Sequence, residues 1–466
     1  MRSVNELGKR IDSESEYSLW ATMFNKLEQY LFYLFLFSIP FQTRKILYFD
    51  EWRFNEWQSM SVYATDVLLA VLFGFWVYNF YKKLIYDLRF TIYGKNLKTL
   101  ILNTKYLIRN PNFYLLAFLV ISAISIKNSD NYLISWYQWF KLAEFVCFYW
   151  YLANYAFKKF GLFNSFLAIF ISGIFQAVVA IIQFLRQSSL GLKYLGESVI
   201  NNDFSGVASF YISDTEKIIR AYGTTPHPNV LAVFLLLSLF AFYFIFLNNK
   251  YSRNTRCLLL TAYAFILFGF FLTFSRVIIL ALGIVFWGGI MIYHKKYRQE
   301  VKKVFLVTLA VASLFAIIFW PEILSRLTIS GDDQAIELRS FYAKEALKTN
   351  INFFGIGFGN FMSWLIKENP FLSAYAYQPV HNIYLLIYAE TGLLGISAFL
   401  LFLFFLIKNS IKKISQSPLA LRSLLLALCL LFIGFFDHMF WTLQSGRLIF
   451  WFSMVGLTYY QKDDRM

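Results

Sequence analysis

Charge is scarce in this chain of 466 residues, of which only 15% are charged whereas 58% are apolar. A soluble domain of this length carries nearer a quarter charged residues, so this scarcity argues against a water-soluble enzyme. Cysteine is scarcer still, because Cys147, Cys257 and Cys429 are the only three. Their scattered positions offer neither a disulfide framework nor a metal-ligand spacing. The net charge of +16 suggests an anionic partner, and the apolar content favours lipid over nucleic acid.

Long apolar runs make up much of the chain. A membrane-spanning helix needs roughly 20 mostly apolar residues, and runs this long are helices rather than barrel strands. Candidate spans lie at Leu27–Phe41, Val62–Phe80, Phe113–Ile126, Tyr132–Phe157, Leu162–Phe184, Val230–Phe246, Leu258–Phe274, Val277–Tyr293, Val304–Trp320, Ile383–Ile407, Leu424–Phe436 and Leu448–Tyr459. The sequence therefore predicts an all-α, polytopic membrane helix bundle of about 12 transmembrane helices.

The distribution of basic residues tests this count. With the N-terminus inside, one set of segments holds about 26 Lys or Arg against about 8 acids, and the other about 15 against about 16. The whole basic excess thus falls on one face, as the positive-inside rule requires of cytoplasmic segments. We expect both termini to be cytoplasmic, and we expect the excess to reflect topology rather than substrate.

Two outer segments are long enough to carry chemistry. Residues 1–466 are interpreted as a single membrane domain, with a first periplasmic loop at 186–228 and a large one at 321–381. A segment of about 60 residues is uncommon for a mere connector and often marks function. Within it, Ala335–Thr349 has apolar residues at roughly helical spacing, so the large loop is predicted to be partly helical.

Arginine and histidine collect at the outer ends of the predicted spans. Arginine presents a planar fork of donors that fits phosphate oxygens, and a neutral histidine can take a proton from a hydroxyl. No pair of carboxylates with the spacing of a divalent-metal site occurs on the outer face, so a metal-independent reaction without a cofactor is predicted. The candidates are Arg220, Arg276, Arg339, Arg447, His227, His381 and His438.

Three outer motifs, together with GIGFGNF (Gly355–Phe361), carry a resemblance to a known family. They are RAYGTTPHPNVLA (Arg220–Ala232), LTFSR (Leu272–Arg276) and HNIYLLIYAETGLLG (His381–Gly395). In these motifs, and in their order, the C-terminal 250 or so residues resemble the O-antigen ligase and polymerase superfamily. The His-Asn pair followed by an acid and two glycines is the most specific part.

The resemblance implies a fold like that of the C-type glycosyltransferases. It also implies transfer of a glycan from undecaprenyl diphosphate to an acceptor at the outer face of the bacterial cytoplasmic (inner) membrane. By position, Arg220 and Arg276 match donor diphosphate-binding arginines. Arg339 occupies the place of an arginine often found before the glycine-rich stretch and is assigned to the diphosphate with them. His381 matches a histidine that is the catalytic base or an essential donor-site contact. Ligases, polymerases and protein O-glycosyltransferases share these motifs, so the acceptor can be a lipid, a glycan or a protein.

Other polar residues are assigned to support of the site. His227 and Asn229, next to prolines, are suited to begin a helix, and Asn382 follows His381 directly. Glu390 lies about 13 Å along its span, where an acid is functional or paired, and we favour a structural partner. The remaining supporting residues are Asp437, His438 and Arg447, interpreted as a hydrogen-bonded cap with an acceptor-side role as the alternative. GIGFGN is interpreted as a tight turn, with backbone donors to a phosphate as the alternative.

Three other functions stay open. A polymerase that joins lipid-linked repeat units has the same chemistry as an O-antigen ligase. A transporter or flippase for lipid-linked glycans also needs arginines around a wet cavity, but predicts charge along a path to both faces and repeated halves. Functional charge clusters at one predicted face, which favours the enzyme. A non-catalytic assembly scaffold remains if donor lipid never binds.

Overall fold

The computed structural model describes most of the chain as one helical bundle. The described residues are 22–49, 54–91, 109–204, 206–213, 216–248, 251–293, 297–327, 334–349, 353–415 and 417–458.

The chain forms seventeen α-helices in the described part. They are α1 (22–38), α2 (Ala64–Thr91), α3 (Pro111–Ser125), α4 (Tyr132–Tyr151), α5 (Phe157–Phe160), α6 (Leu162–Arg186), α7 (Pro228–Asn248), α8 (Arg253–Phe271), α9 (Arg276–Tyr293), α10 (Arg298–Ile318), α11 (Trp320–Leu327), α12 (Gln334–Lys348), α13 (Phe361–Glu368), α14 (Ile383–Ile411), α15 (Pro418–Ile433), α16 (Met439–Thr442) and α17 (Gln444–Gly456). Each of the twelve predicted spans overlaps at least one of these helices, and Tyr459, the last residue of the twelfth span, lies outside the described residues. The predicted loop helix Ala335–Thr349 is confirmed as α12.

Seven of the described helices are long and apolar enough to cross a membrane: α2, α3, α6, α7, α8, α10 and α14. Shorter apolar stretches occur at Arg276–Phe286 and Leu419–Ile433. The mostly helical character is confirmed, and the seven apolar helices are consistent with a membrane protein. The count of twelve spans and the sidedness of the loops stay predictions.

Helix α7 forms the centre of the bundle. In its apolar stretch Pro228–Leu247, 89% of the residues are buried, whereas in α10 only 11% are. Small residues allow neighbouring helices to approach closely. A side chain at Gly173 of α6 would collide with Ser238 of α7, because a Cβ there would lie 2.4 Å from the Ser238 Cβ.

Two short hairpins depart from the all-α prediction. Strands β1 (Arg44–Tyr48) and β2 (Met60–Tyr63) pair antiparallel, with Arg44 opposite Tyr63. Strands β3 (Ser209–Tyr211) and β4 (Lys217–Ile219) do the same, with Ser209 opposite Ile219. Both hairpins lie in connections between helices. The second predicted span is corrected at its start, because Val62 and Tyr63 belong to β2 and the helix begins at Ala64. The Thr43 hydroxyl donates to the Tyr194 carbonyl at 2.7 Å and so links the two regions, which we call the hairpin end of the bundle.

Helix α14 is broken inside its span. Gly392 has φ 67° and ψ −167°, outside helical geometry, and the helix packs on α3 along its length. The glycine-rich turn fills the break, since Ile356 N–H donates to the Ala389 carbonyl at 2.9 Å and Gly357 N–H to that of Glu390 at 3.1 Å. The carbonyl groups that lose their helical partners at the break are thereby hydrogen-bonded within the protein, which is required where no water is available in lipid. The motif thus forms the predicted tight turn, and at least two of its backbone donors serve a helix rather than a ligand.

A buried ion-pair group joins the N-terminal helices. Lys141 and Glu144, three residues apart on α4, pair at 2.9 Å between Nζ and Oε2. Lys141 also pairs with Asp66 at 2.6 Å, a partner on α2 that helical spacing within α4 could not indicate.

Candidate functional site

Arg220 follows β4 directly and is buried, with 8% of its surface exposed. Its Nε donates to the Thr273 carbonyl oxygen at 2.7 Å, and its Nη2 donates to Asn229 Oδ1, also at 2.7 Å. The first contact reaches the turn between α8 and α9, and the second reaches the first turn of α7. The guanidinium is therefore fixed in orientation from two directions.

The turn that receives Arg220 has an unusual backbone. Phe274 in the LTFSR motif has φ 45°, a left-handed conformation that a bulky residue adopts at a cost of order 1–3 kcal/mol. Packing holds it there, because its ring lies 5.0 Å from that of Phe210 and 5.8 Å from that of Phe184. This conformation directs Thr273 and Ser275 towards one place, where the Ser275 hydroxyl donates to Asn229 Oδ1 at 2.9 Å.

Two glutamines on α6 position the loop between β4 and α7. Gln183 accepts from Gly223 N–H at 2.8 Å and donates to the Gly223 carbonyl at 2.9 Å. Gln176 accepts from Thr224 N–H at 2.9 Å and donates to the Thr224 hydroxyl oxygen at 2.7 Å. Sequence analysis missed both residues, although their spacing of seven places two amides on one face of an otherwise apolar helix.

Four arginines line one cavity at the hairpin end, which we call the arginine cavity. They are Arg220, Arg276, Arg326 and Arg339. Asp437 is the single acid among the residues that line it. Burial, followed by the charge of Arg326, lowers the pKa of Arg220 to about 9. An excess of closely placed positive charge favours binding of an anion.

Arg326 is the member of this group that the sequence analysis passed over. It lies near the C-terminal end of α11, with its guanidinium carbon 5.6 Å from the centre of the Phe210 ring. Arg276 Nη1 donates to the backbone carbonyl of Arg326 at 3.2 Å. This bond joins the start of α9 to α11 and brings the two arginines to the same wall.

Asp437 connects the arginine cavity to the histidines. Its Oδ2 accepts from Asn229 Nδ2 at 2.8 Å, and its Oδ1 accepts from Met439 N–H at 3.0 Å. Burial alone raises the pKa of Asp437, but the neighbouring histidines and the Asn229 bond outweigh burial and hold it below its usual value. The carboxylate therefore stays ionised beside the arginines.

His381 and His438 form a close pair. Their ring centres are 4.8 Å apart at 75°, and the Tyr342 ring lies nearly parallel to His381 at 5.9 Å. His438 Nδ1 is 2.6 Å from the Thr442 hydroxyl oxygen. The Trp57 ring, from the segment between β1 and β2, lies 5.7 Å from the His438 ring. Sequence analysis missed Trp57 because no chemistry-bearing motif surrounds it.

Burial keeps the histidines neutral. It lowers the pKa of His381 to about 3, and the adjacent His438 adds to the effect because two positive charges so close together are disfavoured. It also lowers the pKa of His227 to about 3, assisted by Arg220. His227 Nδ1 accepts from Asn229 N–H at 3.1 Å, which assigns its proton to Nε2. His381 Nδ1 is buried and has no hydrogen-bond partner among the described residues, so this nitrogen is available to a ligand or substrate.

Five of the predicted supporting residues do not line the arginine cavity: His227, Asn382, Glu390, His438 and Arg447. Arg447 donates through Nη2 to Gln138 Oε1 at 2.7 Å and, like Glu390, lines a neighbouring cavity. The Glu390 carboxylate accepts from the backbone of Gly359 and Phe361 and from the Trp441 side chain. Asn382 caps α14, since its Oδ1 accepts from Tyr384 N–H at 2.9 Å and Leu385 N–H at 3.0 Å.

No group of three or more His, Cys, Asp and Glu residues that could hold a metal ion occurs within the described ranges. The strongest binding chemistry present there is the guanidinium cluster.

A known protein family matches the part of the chain that carries several of these segments. Residues 261–400 match the family model described as O-antigen ligase. This match confirms the resemblance to the O-antigen ligase and polymerase superfamily. No curated protein matched the chain.

The O-antigen ligase match spans Arg276, Arg326, Arg339 and His381. It ends before Asp437 and begins after Arg220, which the structure brings to the same cavity. Together with the apolar helices, the match indicates an integral membrane protein and, broadly, an enzyme of the O-antigen ligase or polymerase type in polysaccharide biosynthesis.

Proposed function

We propose that the protein transfers a glycan from undecaprenyl diphosphate to an acceptor hydroxyl, in a reaction of the O-antigen ligase type that uses no metal. The single observation that carries this proposal is the arginine cavity, in which four guanidinium groups and one carboxylate lie beside a pair of neutral histidines. A diphosphate has the charge and the oxygen geometry that such a cluster recognises.

The bond changes follow from this arrangement. The bond between the donor sugar's anomeric carbon and the diphosphate oxygen breaks, and a new bond forms from that carbon to the acceptor oxygen. Undecaprenyl diphosphate leaves with the bonding electrons, and Arg220, Arg276 and Arg339 stabilise the charge that develops on it. The acceptor's proton passes to His381.

The protonation state of His381 supports its role as base. Because burial lowers its pKa to about 3, the imidazole is neutral before substrate binds. A bound diphosphate adds negative charge next to the ring, which favours the protonated form and raises the pKa towards the operating range. Base strength would therefore rise when the donor is in place.

The site is proposed to face the periplasm or cell exterior, with both termini in the cytoplasm. A polymerase that joins lipid-linked repeat units is the closest alternative, because it would use the same donor contacts and differ only in its acceptor.

The test uses full-length protein in proteoliposomes with a purified undecaprenyl-diphosphate glycan. Arg220→Ala, Arg276→Ala and His381→Ala are compared with Arg186→Ala, an exposed arginine at the end of α6. Loss of transfer by the first three variants and retention by the fourth is expected. Transfer at the wild-type rate by all four would overturn the proposal, and movement of intact donor across the bilayer without product would favour a transporter.

A further inference from the structure

A second cavity lies beside the histidine pair, on the other side of the short helix α16. We call it the indole cavity, because Trp57 and Trp441 both line it. Met439, at the start of α16, lines the arginine cavity, whereas Trp441 and Thr442 of the same helix line the indole cavity. No described residue lines both cavities. Helix α16 therefore separates them.

The histidine pair adjoins residues of both cavity walls. The Thr442 hydroxyl oxygen lies 2.6 Å from His438 Nδ1, and the Trp57 ring lies 5.7 Å from the His438 ring. Asp437, directly before His438, lines the arginine cavity. A general base in a transfer reaction must reach the acceptor hydroxyl while the leaving group occupies its own site. With the diphosphate in the arginine cavity, the indole cavity is a separate place beside the histidines for the acceptor.

Charge is balanced in the indole cavity, unlike in the arginine cavity. Among the described residues that line it, Arg447 and Glu390 are the charged ones. Arg447 donates to Gln138 Oε1 and to the Trp441 carbonyl oxygen. Glu390 accepts from two backbone N–H groups and from the Trp441 side chain. Because both charged groups are hydrogen-bonded within the protein and opposite in sign, the cavity suits an uncharged polar ligand rather than an anion.

Two buried nitrogen atoms on either side of His438 lack a hydrogen-bond partner among the described residues. They are Trp57 Nε1, an obligatory donor, and His381 Nδ1. Buried polar atoms are rarely left unpaired in proteins, so each of these needs a partner that the described chain does not supply. A hydroxyl group both accepts and donates, and hydroxyl groups of one ligand can therefore serve the indole and the imidazole together.

The size and walls of the indole cavity favour a sugar as the source of these hydroxyl groups. The space that a water-sized group can occupy there is about 30 Å³, which is room for about two hydroxyl groups and not for a whole sugar ring. Trp57 and Gln138 are half-buried, so the ring itself has access at their side. The apolar C–H face of a sugar packs on an aromatic ring, whereas a serine side chain offers one hydroxyl and no such face.

We propose that the indole cavity binds hydroxyl groups of a sugar acceptor, with Trp57 Nε1–H donating to one of them. The acceptor is then a glycan and not a protein. The inference rests on the proposed function, because it requires the diphosphate to lie in the arginine cavity. Trp57, Gln138 and Arg447 fall outside the residues that match the O-antigen ligase family, so this part of the wall distinguishes the acceptor site of this chain.

A choice of acceptors tests the chemical class. Full-length protein in proteoliposomes is given a purified undecaprenyl-diphosphate glycan as donor. Dodecyl glucoside, galactoside, mannoside and maltoside are the sugar acceptors, and N-dodecanoyl-serine amide presents a serine hydroxyl on a similar chain. Mass spectrometry is expected to show faster transfer to at least one sugar than to the serine probe. Transfer to the serine probe at an equal or higher rate, or to none of the sugars, would overturn the inference.

A matched pair of variants tests the indole donor. Trp57→Phe keeps an aromatic ring next to His438 but removes the N–H, whereas Trp136→Phe makes the same change at an exposed residue of α4 outside the cavity. Trp57→Phe is expected to raise KM for the best sugar acceptor about fivefold, the loss of one hydrogen bond to a neutral group, and to leave KM for the donor unchanged. Trp136→Phe should change neither value. An equal rise in both KM values indicates a merely structural role and overturns the inference, as does an unchanged KM for the acceptor.

Donor binding separates this inference from the proposed function. The affinity of wild type and Trp57→Phe for undecaprenyl diphosphate is measured by microscale thermophoresis. Equal affinity, together with the higher KM for the acceptor, supports the indole cavity as the acceptor site. Weaker binding by Trp57→Phe, or binding by wild type without transfer to any sugar, overturns this inference alone. Absence of diphosphate binding by wild type overturns the proposed function together with it.

Discussion

Arg220 and Thr273 are joined by a 2.7 Å hydrogen bond from the guanidinium Nε to the backbone carbonyl oxygen. Arg220 precedes the region that matches the O-antigen ligase family, whereas Thr273 lies within it. The bond thus ties a part of the chain that lies outside the match to the conformation of Phe274 in the LTFSR turn. One side chain couples the arginine cavity to the backbone that forms its wall.

Substitution Arg220→Lys should abolish most transfer activity although charge is kept. A lysine ammonium is a single point donor that cannot reproduce the planar fork reaching both Thr273 and Asn229. We expect kcat/KM to fall about 10²-fold or more, the range found when one preorganised donor is removed from a site of developing charge.

The measurement is initial-rate glycan transfer with purified donor. Arg186→Lys, at an exposed helix end, is the matched control and should retain full activity. Activity of Arg220→Lys within twofold of wild type would show that the two fixed contacts do not matter for the reaction.

Much of the helical layout could be predicted from hydropathy. In lipid, each long apolar run must pair its own backbone N–H and C=O groups, and a helix does so. Motif chemistry likewise pointed to Arg220, Arg276, Arg339 and His381, which the structure places at or beside the arginine cavity. Pairings distant in sequence could not be predicted. The break at Gly392 reads as ordinary helix, and only the structure shows the glycine-rich turn filling it.

Arg326 illustrates a different limit. It occurs in the short segment Trp320–Leu327, whose apolar and polar residues indicate an amphipathic helix. That pattern does not indicate where any one side chain of the helix points. The hairpin β1/β2 and Trp57 were missed for a similar reason. Their position beside His438 depends on how α1 and α2 pack, and the periodicity of a single sequence does not specify that packing.

Arg326→Ala is predicted to weaken donor binding more than it slows turnover. The side chain is one of four positive charges around the arginine cavity, so its loss should chiefly reduce attraction for the diphosphate. KM for the donor should rise about tenfold at low salt, with a smaller ratio between variant and wild type at high salt because ions screen exposed charge. A change confined to kcat would contradict this assignment.

The buried histidines predict that acid destabilises the protein. The pKa values of His227 and His381 fall from 6.5 to about 3 on folding, so their stabilising effect is complete above about 6.5 and is lost as pH falls towards 3. Between these limits each such histidine contributes a slope of about 1.4 kcal/mol per pH unit to the unfolding free energy.

His227→Gln keeps a side chain able to accept from Asn229 N–H and removes one titrating group. Thermal unfolding between pH 7.5 and 4 should therefore show a shallower loss of Tm for His227→Gln than for wild type. A steeper loss, or identical curves, would mean that His227 is not held neutral by the fold.

The close contact between Gly355 and α14 gives a prediction about the broken helix. Gly355 has φ 70°, and a Cβ there would lie 2.5 Å from the Glu390 backbone carbon and 2.6 Å from Gly392 N, so Gly355→Ala forces the turn and the helix apart. Gly206→Ala is the matched control, since its φ of 82° imposes the same backbone strain but a Cβ there meets nothing within 4 Å. Both variants should lose about 1–3 kcal/mol from that strain, and Gly355→Ala should lose more, because backbone atoms cannot move aside as a flexible side chain can. Urea or thermal unfolding of the two purified proteins measures the difference. Equal destabilisation would show that the turn yields freely and does not hold the break in α14.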